Sequence, residues 1–78
     1  MKQNFMNLCD AEENKKYTII RIIGAYRNRL SELGFSPGCD IYVHKMDKDG
    51  PLVANCRGSQ IGLRKAEAEC IIVVLASS

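Results

Sequence analysis

The residues with the most reactive side chains in this sequence are four cysteines and a single histidine. Cysteine thiolates and histidine nitrogens are common metal ligands, and two closely spaced cysteines, as in C-x-x-C, are typical of zinc and redox sites. The cysteines here are separated by 30, 17 and 14 positions, so no such pair exists. They are Cys9, Cys39, Cys56 and Cys70. We therefore predict free structural thiols and no metal site.

The other candidates for chemistry are His44 and an acidic segment at 47–50. On a predicted strand between Val43 and Lys45, His44 is expected to face solvent, and no Cys-His or Ser-His pair can be proposed for it. The sequence Asp-Lys-Asp-Gly at 47–50 resembles the start of a calcium loop, but the twelfth position, where a bidentate Glu belongs, is Gly58. This segment is therefore predicted to be an acidic hairpin tip. The sequence also contains neither of the glycine-rich phosphate-binding motifs G-x-x-x-x-G-K-[ST] and G-x-G-x-x-G. It therefore predicts no enzyme and no resident cofactor.

The composition is that of one small domain with a weak net charge. Of the 78 residues, 46% are hydrophobic and 26% are charged, and the net charge is +2. A net charge this small does not by itself attract nucleic acid. Six basic residues could converge into a patch, but few aromatic rings remain to stack on bases. These basic residues are Arg21, Arg27, Arg29, Arg57, Arg64 and Lys65. Nucleic-acid binding is therefore the least favoured function.

No segment is long and apolar enough to cross a membrane or to direct secretion. The longest apolar run is Ile71–Ala76, whereas a spanning helix needs roughly 20 residues. We expect a cytoplasmic protein without membrane insertion. In that reducing compartment the cysteines stay free, although an extracellular chain could form two disulfides in any of three pairings. Cys56 is expected to be buried and inert, while Cys9 and Cys39, near turns, are expected to react sooner.

Hydrophobic alternation and turn residues predict five short strands. The first, Lys16–Ile23, is rich in Tyr, Thr and Ile, which favour strands, and Gly24 closes it. In the third strand Leu52, Ala54 and Cys56 are expected to face the core. The remaining strands are predicted at 39–46, 60–63 and 71–75, with a turn at 58–59.

One stretch has a helical period. From Ala25 onward, apolar residues recur at i, i+4 and i+7, which predicts a helix of about two to three turns. These residues are Tyr26, Leu30 and Leu33. Gly34 is the expected left-handed stop, with Phe35 folding back onto the last turn. Pro-Gly at 37–38 predicts the following turn, and 64–69 has room for about one helical turn.

Short strands closed by turns about every 8 to 12 residues are typical of a small barrel, which leaves no exposed sheet edge. The predicted fold is therefore mainly β: a closed five-stranded barrel, with one short helix after the first strand and a helical turn before the last. Residues 1–78 are expected to form a single domain with its core at about 8–75. The first seven residues and 76–78 are expected to fray.

Residues 25–38, AYRNRLSELGFSPG, resemble the signature of the ferrous iron transport protein A family. Residues 50–73 are similar to that family's Pro-Leu strand, Arg-Gly turn and closing element. The matching positions of the closing element are Leu63, Arg64, Ala68, Ile71 and Val73. The chain departs from the family before the first strand, where Ala11 and Glu13-Asn14 replace a Leu and a Pro-Gly turn. Asn14 can adopt the left-handed conformation of such a turn.

The resemblance implies an SH3-like barrel that serves as a small cytoplasmic accessory of a membrane ferrous iron transporter with its own GTP-binding domain. Such a protein would act as an adaptor by docking on the transporter, without catalysis. An iron-binding regulatory module is the alternative, because Cys, His and Asp residues are present, though not at ligand spacing. A nucleic-acid-binding barrel comes third. We expect at most weak binding of Fe²⁺, and the sequence leaves self-association open.

The predicted docking surface lies on the helix and the turn after it, residues 26–38. More apolar groups lie there than one helix stripe can bury, and arginines border them, as in an interface with an apolar centre and a charged rim. Its residues are Tyr26, Arg27, Arg29, Leu30, Leu33 and Phe35. Leu33 and Phe35 are also expected to pack into the core and the helix cap. The family resemblance implies that Leu30 lies on the outer side of the helix, and we expect it to contact the partner.

Overall fold

The structure is a computed structural model that describes residues 5–45 and 51–76. The predicted acidic hairpin tip at 47–50 lies outside the described residues, as do 1–4 and 77–78. Within the described ranges the chain forms six strands, two short helices and a 3-10 turn. In chain order these are β1 (Met6–Asn7), the 3-10 turn (Leu8–Asp10), β2 (Lys16–Ile22), α1 (Arg27–Glu32), β3 (Asp40–Lys45), β4 (Leu52–Cys56), β5 (Ser59–Leu63), α2 (Lys65–Ala68) and β6 (Ile71–Leu75).

The strands form one antiparallel sheet in the order β1-β6-β2-β3-β4-β5. Among the described residues, no ladder joins β5 back to β1, so the sheet is unclosed. The prediction of a closed five-stranded barrel is therefore wrong in strand number and in closure, although the fold is mainly β as expected. The strand at one edge, β1, spans two residues. So short a strand supplies too few hydrogen bonds to close a barrel.

The start of the chain is more ordered than the sequence indicates. Met6 pairs with Val73 and Asn7 with Ile72, so β1 extends the sheet beside β6. Leu8 and Ala11, on either side of the 3-10 turn, are fully buried. The expectation that the first seven residues fray is therefore wrong for Met6 and Asn7, because pairing with β6 satisfies their backbone groups.

The predicted inward face of the third strand is confirmed. Leu52, Ala54 and Cys56 of β4 are buried, and the residues between them are partly exposed. The core draws its largest fully buried side chains from several strands, the 3-10 turn and the α1 region. These include Tyr17, Phe35, Leu8, Ile19, Leu30, Ile41, Leu63 and Ile71. Alternation along the strands therefore builds one continuous core under the sheet.

The alternation is interrupted in the middle of β2. Its register with β6 shifts between Ile19 and Arg21, so Ile20 is an extra, bulged residue. Ile19 and Ile22 are buried, while Ile20 and Arg21 are both exposed. The bulge therefore leaves Ile20 and Arg21 both facing solvent and returns Ile22 to the core.

The turns follow the residues that favour them. Asn14 has φ of 65°, the left-handed conformation predicted for it. The turn between β4 and β5 consists of Arg57 and Gly58, with φ of 54° and 80°. This is one residue earlier than predicted, and two positive φ values are what a tight two-residue hairpin requires.

Candidate docking surface

The C-terminal end of α1 is fixed by a pair of backbone hydrogen bonds. The N–H of Gly34 donates to the carbonyl of Ser31, and the N–H of Phe35 donates to the carbonyl of Leu30, both at 3.1 Å. Gly34 has φ of 106°. These contacts define a Schellman motif and confirm both the stop at Gly34 and the return of Phe35 onto the last turn. The helix itself is shorter than predicted, because it begins at Arg27.

The Schellman motif determines which apolar residues of the predicted docking surface remain accessible to a partner. Leu30 and Phe35 are fully buried, whereas Tyr26 is 39% exposed and Leu33 is 40% exposed. The prediction that Leu30 faces a partner is therefore wrong, and so is the prediction that Leu33 packs in the core. In a Schellman motif the third-last helical residue and the residue after the glycine meet through their side chains. Leu30 and Phe35 hold those two positions.

The two arginines of the predicted surface have different surroundings. Arg29 Nε lies 3.1 Å from Glu67 Oε2, and the Glu67 side chain is buried. The other carboxylate oxygen of Glu67 accepts the N–H of Arg64 at 3.0 Å and so caps α2. Arg29 therefore ties α1 to α2. Arg27 is exposed and has no carboxylate partner among the described residues.

A shallow groove of about 310 Å³ runs between α1 and β2. Arg27 and Ser31 line it from the helix, Ile20 and Ile22 from the strand, and Pro37 from the turn after the helix. The groove thus joins an apolar floor to the guanidinium group of Arg27, which suits a partner with an apolar side chain beside a carboxylate.

Two apolar residues of this surface were missed by the sequence analysis. Ile20, directly after the buried Ile19, is 39% exposed, and Ile23 is 43% exposed just after β2 ends. A run of isoleucines is typical of a core strand. Which of them face outward depends on the inward phase of Ile19 and on the bulge that returns Ile22 to the core. Together with three of the predicted residues they form what we call the α1 patch: Ile20, Ile23, Tyr26, Arg27 and Leu33.

The four cysteines are free thiols in two environments. Cys39 and Cys56 are buried, which confirms the expectation for Cys56 but not the exposure expected of Cys39. A hydrogen bond with the Ser36 hydroxyl, whose oxygen is 3.1 Å from Sγ, lowers the pKa of the Cys39 thiol. Burial is the main cause that raises the pKa of the Cys56 thiol, and the nearby Cys39 raises it further. Cys9 is partly buried, and burial is also the main cause that raises the pKa of its thiol.

In residues 5–45 and 51–76, no three His, Cys, Asp or Glu side chains come together as a metal site would need. His44 is exposed, as predicted, and its Nδ1 lies 3.5 Å from Glu13 Oε1. In the same ranges, no helix has the length and apolar character to cross a membrane.

An unclosed, six-stranded antiparallel sheet with two short helices belongs to the broad SH3-like class of small β domains. The model of the FeoA domain family matches residues 6–75 of the sequence, nearly its whole length. The chain therefore belongs to the FeoA domain family. Membership of this family implies involvement in ferrous iron transport, and it confirms the resemblance noted in the sequence.

Solved structures agree with this assignment. A FeoA-like protein from Clostridium acetobutylicum is 27% identical, with a TM-score of 0.85, and the match covers 100% of this chain and 93% of that one. An iron uptake regulatory protein, FeoA, is 23% identical, with a TM-score of 0.84 and coverage of 94% and 100%. The latter similarity shows the fold. Among proteins of curated function, none matches the sequence.

The same fold occurs in a larger protein of another kind. A manganese-dependent transcriptional repressor is 18% identical, with a TM-score of 0.84; the match covers 97% of this chain and 44% of the repressor. At this identity the similarity shows the fold and no shared function.

Proposed function

We propose that this protein is a non-catalytic cytoplasmic adaptor of ferrous iron uptake that docks on a membrane ferrous iron transporter carrying a GTP-binding domain. The family match over residues 6–75 supports the link to iron transport. The observation that supports docking is the α1 patch, whose apolar side chains remain about two-fifths exposed. Two of its residues, Ile20 and Arg27, also line the groove between α1 and β2, and Arg27 has no carboxylate partner among the described residues. Exposed apolar groups with a charged border are typical of protein interfaces.

The proposed contact uses the exposed side chains of Leu33, Ile23 and Tyr26. Each can be covered by a partner without disturbing the core, since each is already partly in solvent. Arg27 would border this contact and pair with a carboxylate of the transporter. Leu30 and Phe35 support the patch from beneath, because their side chains hold the end of α1 against the sheet.

The experiment is capture of the transporter from solubilised membranes of iron-starved cells by the tagged protein and its variants. Leu33→Gln is expected to reduce recovery of the transporter, identified by mass spectrometry, while the thermal midpoint stays within a few degrees of the parent. Leu75→Gln is the matched control. Leu75 is 54% exposed on β6, outside the α1 patch, so the same substitution there should leave capture unchanged.

Undiminished capture by a well-folded Leu33→Gln, Ile23→Gln double variant would remove the α1 patch from the proposal. Failure of the parent protein to retain any ferrous iron transporter would contradict docking itself. Loss of capture by Leu75→Gln as well would show that the effect is not local to the patch.

The proposal also assigns only weak Fe²⁺ binding to the chain itself, on the order of tens of micromolar, as scattered surface carboxylates could give. Calorimetric titration of the purified protein with Fe²⁺ under anaerobic conditions tests this. A stoichiometric site of sub-micromolar dissociation constant would replace the adaptor with an iron-binding regulatory module.

A further inference from the structure

The strand β5 forms one edge of the sheet. It pairs with β4 on one side, and no described residue pairs with it on the other. The opposite edge, β1, is two residues long, whereas β5 is five. A very short edge strand offers other chains few backbone groups to pair with. A longer edge strand needs other protection, such as a charged side chain or a proline.

The register of the β4–β5 hairpin shows which backbone groups of β5 are free. Cys56 and Ser59 flank the two-residue turn, so they form a hydrogen-bonded pair. Hydrogen-bonded pairs then recur at every second residue, at Ile61 and Leu63 of β5. The N–H and C=O groups of Gln60 and Gly62 therefore point away from β4. Two outward-facing residues at i and i+2 are what an added strand requires.

Nothing in β5 itself blocks such an addition. Its sequence, Ser-Gln-Ile-Gly-Leu, contains neither a charge nor a proline, the usual protections of an edge. Gln60 and Gly62 are exposed, and a Cβ placed on Gly62 would meet no atom within 4 Å. A second backbone can therefore approach this edge closely.

Charge at the two ends of β5 indicates what would bind there. Arg57 lies in the turn before the strand, and Arg64 and Lys65 directly follow it. All three are exposed, and none has a carboxylate partner among the described residues. The nearby carboxylate of Glu67 is buried and already engaged by Arg29 and by the N–H of Arg64. The ends of the edge are therefore positively charged.

We propose that β5 binds an extended, acidic peptide segment of a partner protein by strand addition at Gln60 and Gly62. A second copy of this chain fits the edge less well. Antiparallel pairing of two β5 strands through these residues would place Arg57 of one copy opposite Lys65 of the other, and like charges facing each other across strands are unfavourable. This surface is separate from the α1 patch and does not depend on the function proposed above.

The test is a titration of ¹⁵N-labelled protein with the peptide acetyl-Glu-Val-Glu-Val-Glu-Val-Glu-amide, followed by NMR. Amide shifts are expected to concentrate in residues 59–63, largest at Gln60 and Gly62, and binding should weaken as salt is raised. The same peptide with Lys in place of each Glu is the matched control and should not bind. Two further acidic peptides carry N-methyl groups, one on the backbone nitrogens of its valines and the other on those of its glutamates. Only the peptide whose methylated N–H groups would face β5 should lose binding.

Gly62→Pro is expected to weaken binding at least about tenfold, because it removes an outward N–H and places a ring on the edge. Its folding should survive, since that N–H takes no part in the ladder with β4. Gly62→Ala is the matched control and should bind as the parent does. The Arg64→Gln, Lys65→Gln double variant should bind more weakly than Arg21→Gln, Arg27→Gln, which carries the same change of net charge at another surface.

Three outcomes would overturn the proposal: equal binding of the lysine peptide, parent-like binding by a folded Gly62→Pro, or shifts that map away from β5. Concentration-dependent dimerisation with the same β5 shifts in the absence of peptide would identify a second copy as the occupant and would also overturn it. The transporter takes no part in these measurements, so their failure leaves the proposed docking function untouched.

Discussion

Phe35 donates its backbone N–H to the carbonyl oxygen of Leu30 at 3.1 Å, and the side chains of both residues are fully buried. This hydrogen bond ends α1, and the same turn places Leu30, the most apolar residue of the helix, inside the core. As a result, the apolar side chains that the α1 region offers to a partner are those at its two ends, Tyr26 and Leu33. A local helix-ending motif thus determines the composition of the candidate docking surface.

The first prediction concerns the burial of Leu30. Leu30→Ala should lower the free energy of unfolding by roughly 2 to 5 kcal/mol, because it leaves a cavity against Phe35 in a small core. Leu33→Ala, the matched control at an exposed position, should cost less than about 1 kcal/mol. Urea or guanidinium denaturation of both variants measures the difference. Equal costs would contradict the inward orientation of Leu30.

The second prediction separates two glycines by their backbone conformation. Gly34 has φ of 106°, so Gly34→Ala should destabilise the protein by about 1 kcal/mol even though a Cβ would meet nothing within 4 Å. Gly62 has equal space and no positive φ, so Gly62→Ala should be neutral or stabilising by up to about 1 kcal/mol. Thermal unfolding of the two variants gives opposite or clearly unequal shifts if the Schellman motif holds.

Much of this architecture follows from patterns that act over a few residues. The alternation of Leu52, Ala54 and Cys56 predicted the buried face of β4, and a glycine followed by an apolar residue predicted the end of α1. Such features depend on neighbours in the chain, so the sequence carries them directly. The family resemblance added the fold class and the link to iron transport.

Other features depend on partners that are distant in sequence. β1 exists because β6, more than sixty positions away, pairs with Met6 and Asn7, and no local pattern predicts a strand of two residues. The return of Ile22 to the core after two consecutive exposed residues depends on a bulge opposite β6, which breaks the alternation that a sequence analysis assumes. The α1 patch could therefore be predicted in its helical part but not in its strand part.

The third prediction concerns the carboxylate that joins the two helices. Glu67→Ala should lower the free energy of unfolding by roughly 2 to 4 kcal/mol, because it removes both the α2 cap at Arg64 and the ion pair with Arg29. Arg29→Gln should cost about 1 kcal/mol or less, since its side chain is mostly exposed and solvent screens the pair. Denaturant titration of the two single variants and the double variant measures the coupling between these side chains.

The fourth prediction is an order of reactivity among the thiols. In native protein treated with iodoacetamide, Cys9 and Cys70 should be labelled before Cys39 and Cys56, because the first two are partly exposed and the others are buried. The lowered pKa of the Cys39 thiol does not reverse this order, since the reagent must first reach the sulfur. Mass spectrometry of digested samples taken over time reports each cysteine separately. Labelling of Cys56 as fast as Cys9 would contradict the inward face of β4.

The last prediction concerns the pH dependence of labelling at Cys9. Partial burial is the main cause that raises the pKa of this thiol, and the carboxylates of Asp10 and Glu69 raise it further, against a smaller opposing effect of Lys65. The thiolate is the reacting form, so a raised pKa means less thiolate at a given pH. The midpoint of the rate against pH should therefore lie above that of a cysteine acetylated at its amino group and amidated at its carboxyl group.

Asp10→Asn removes one of these negative charges. It should move the midpoint for Cys9 towards lower pH and speed labelling at about pH 8, where the thiolate is the minor form. Asp40→Asn is the matched control, because Asp40 interacts with Lys16 and Thr18 and is not among the charges that act on Cys9. A midpoint for Cys9 at or below that of the acetylated and amidated cysteine would show that neither burial nor the acidic neighbours govern this thiol. An equal response to the two substitutions would assign the effect to net charge rather than to the carboxylate beside it.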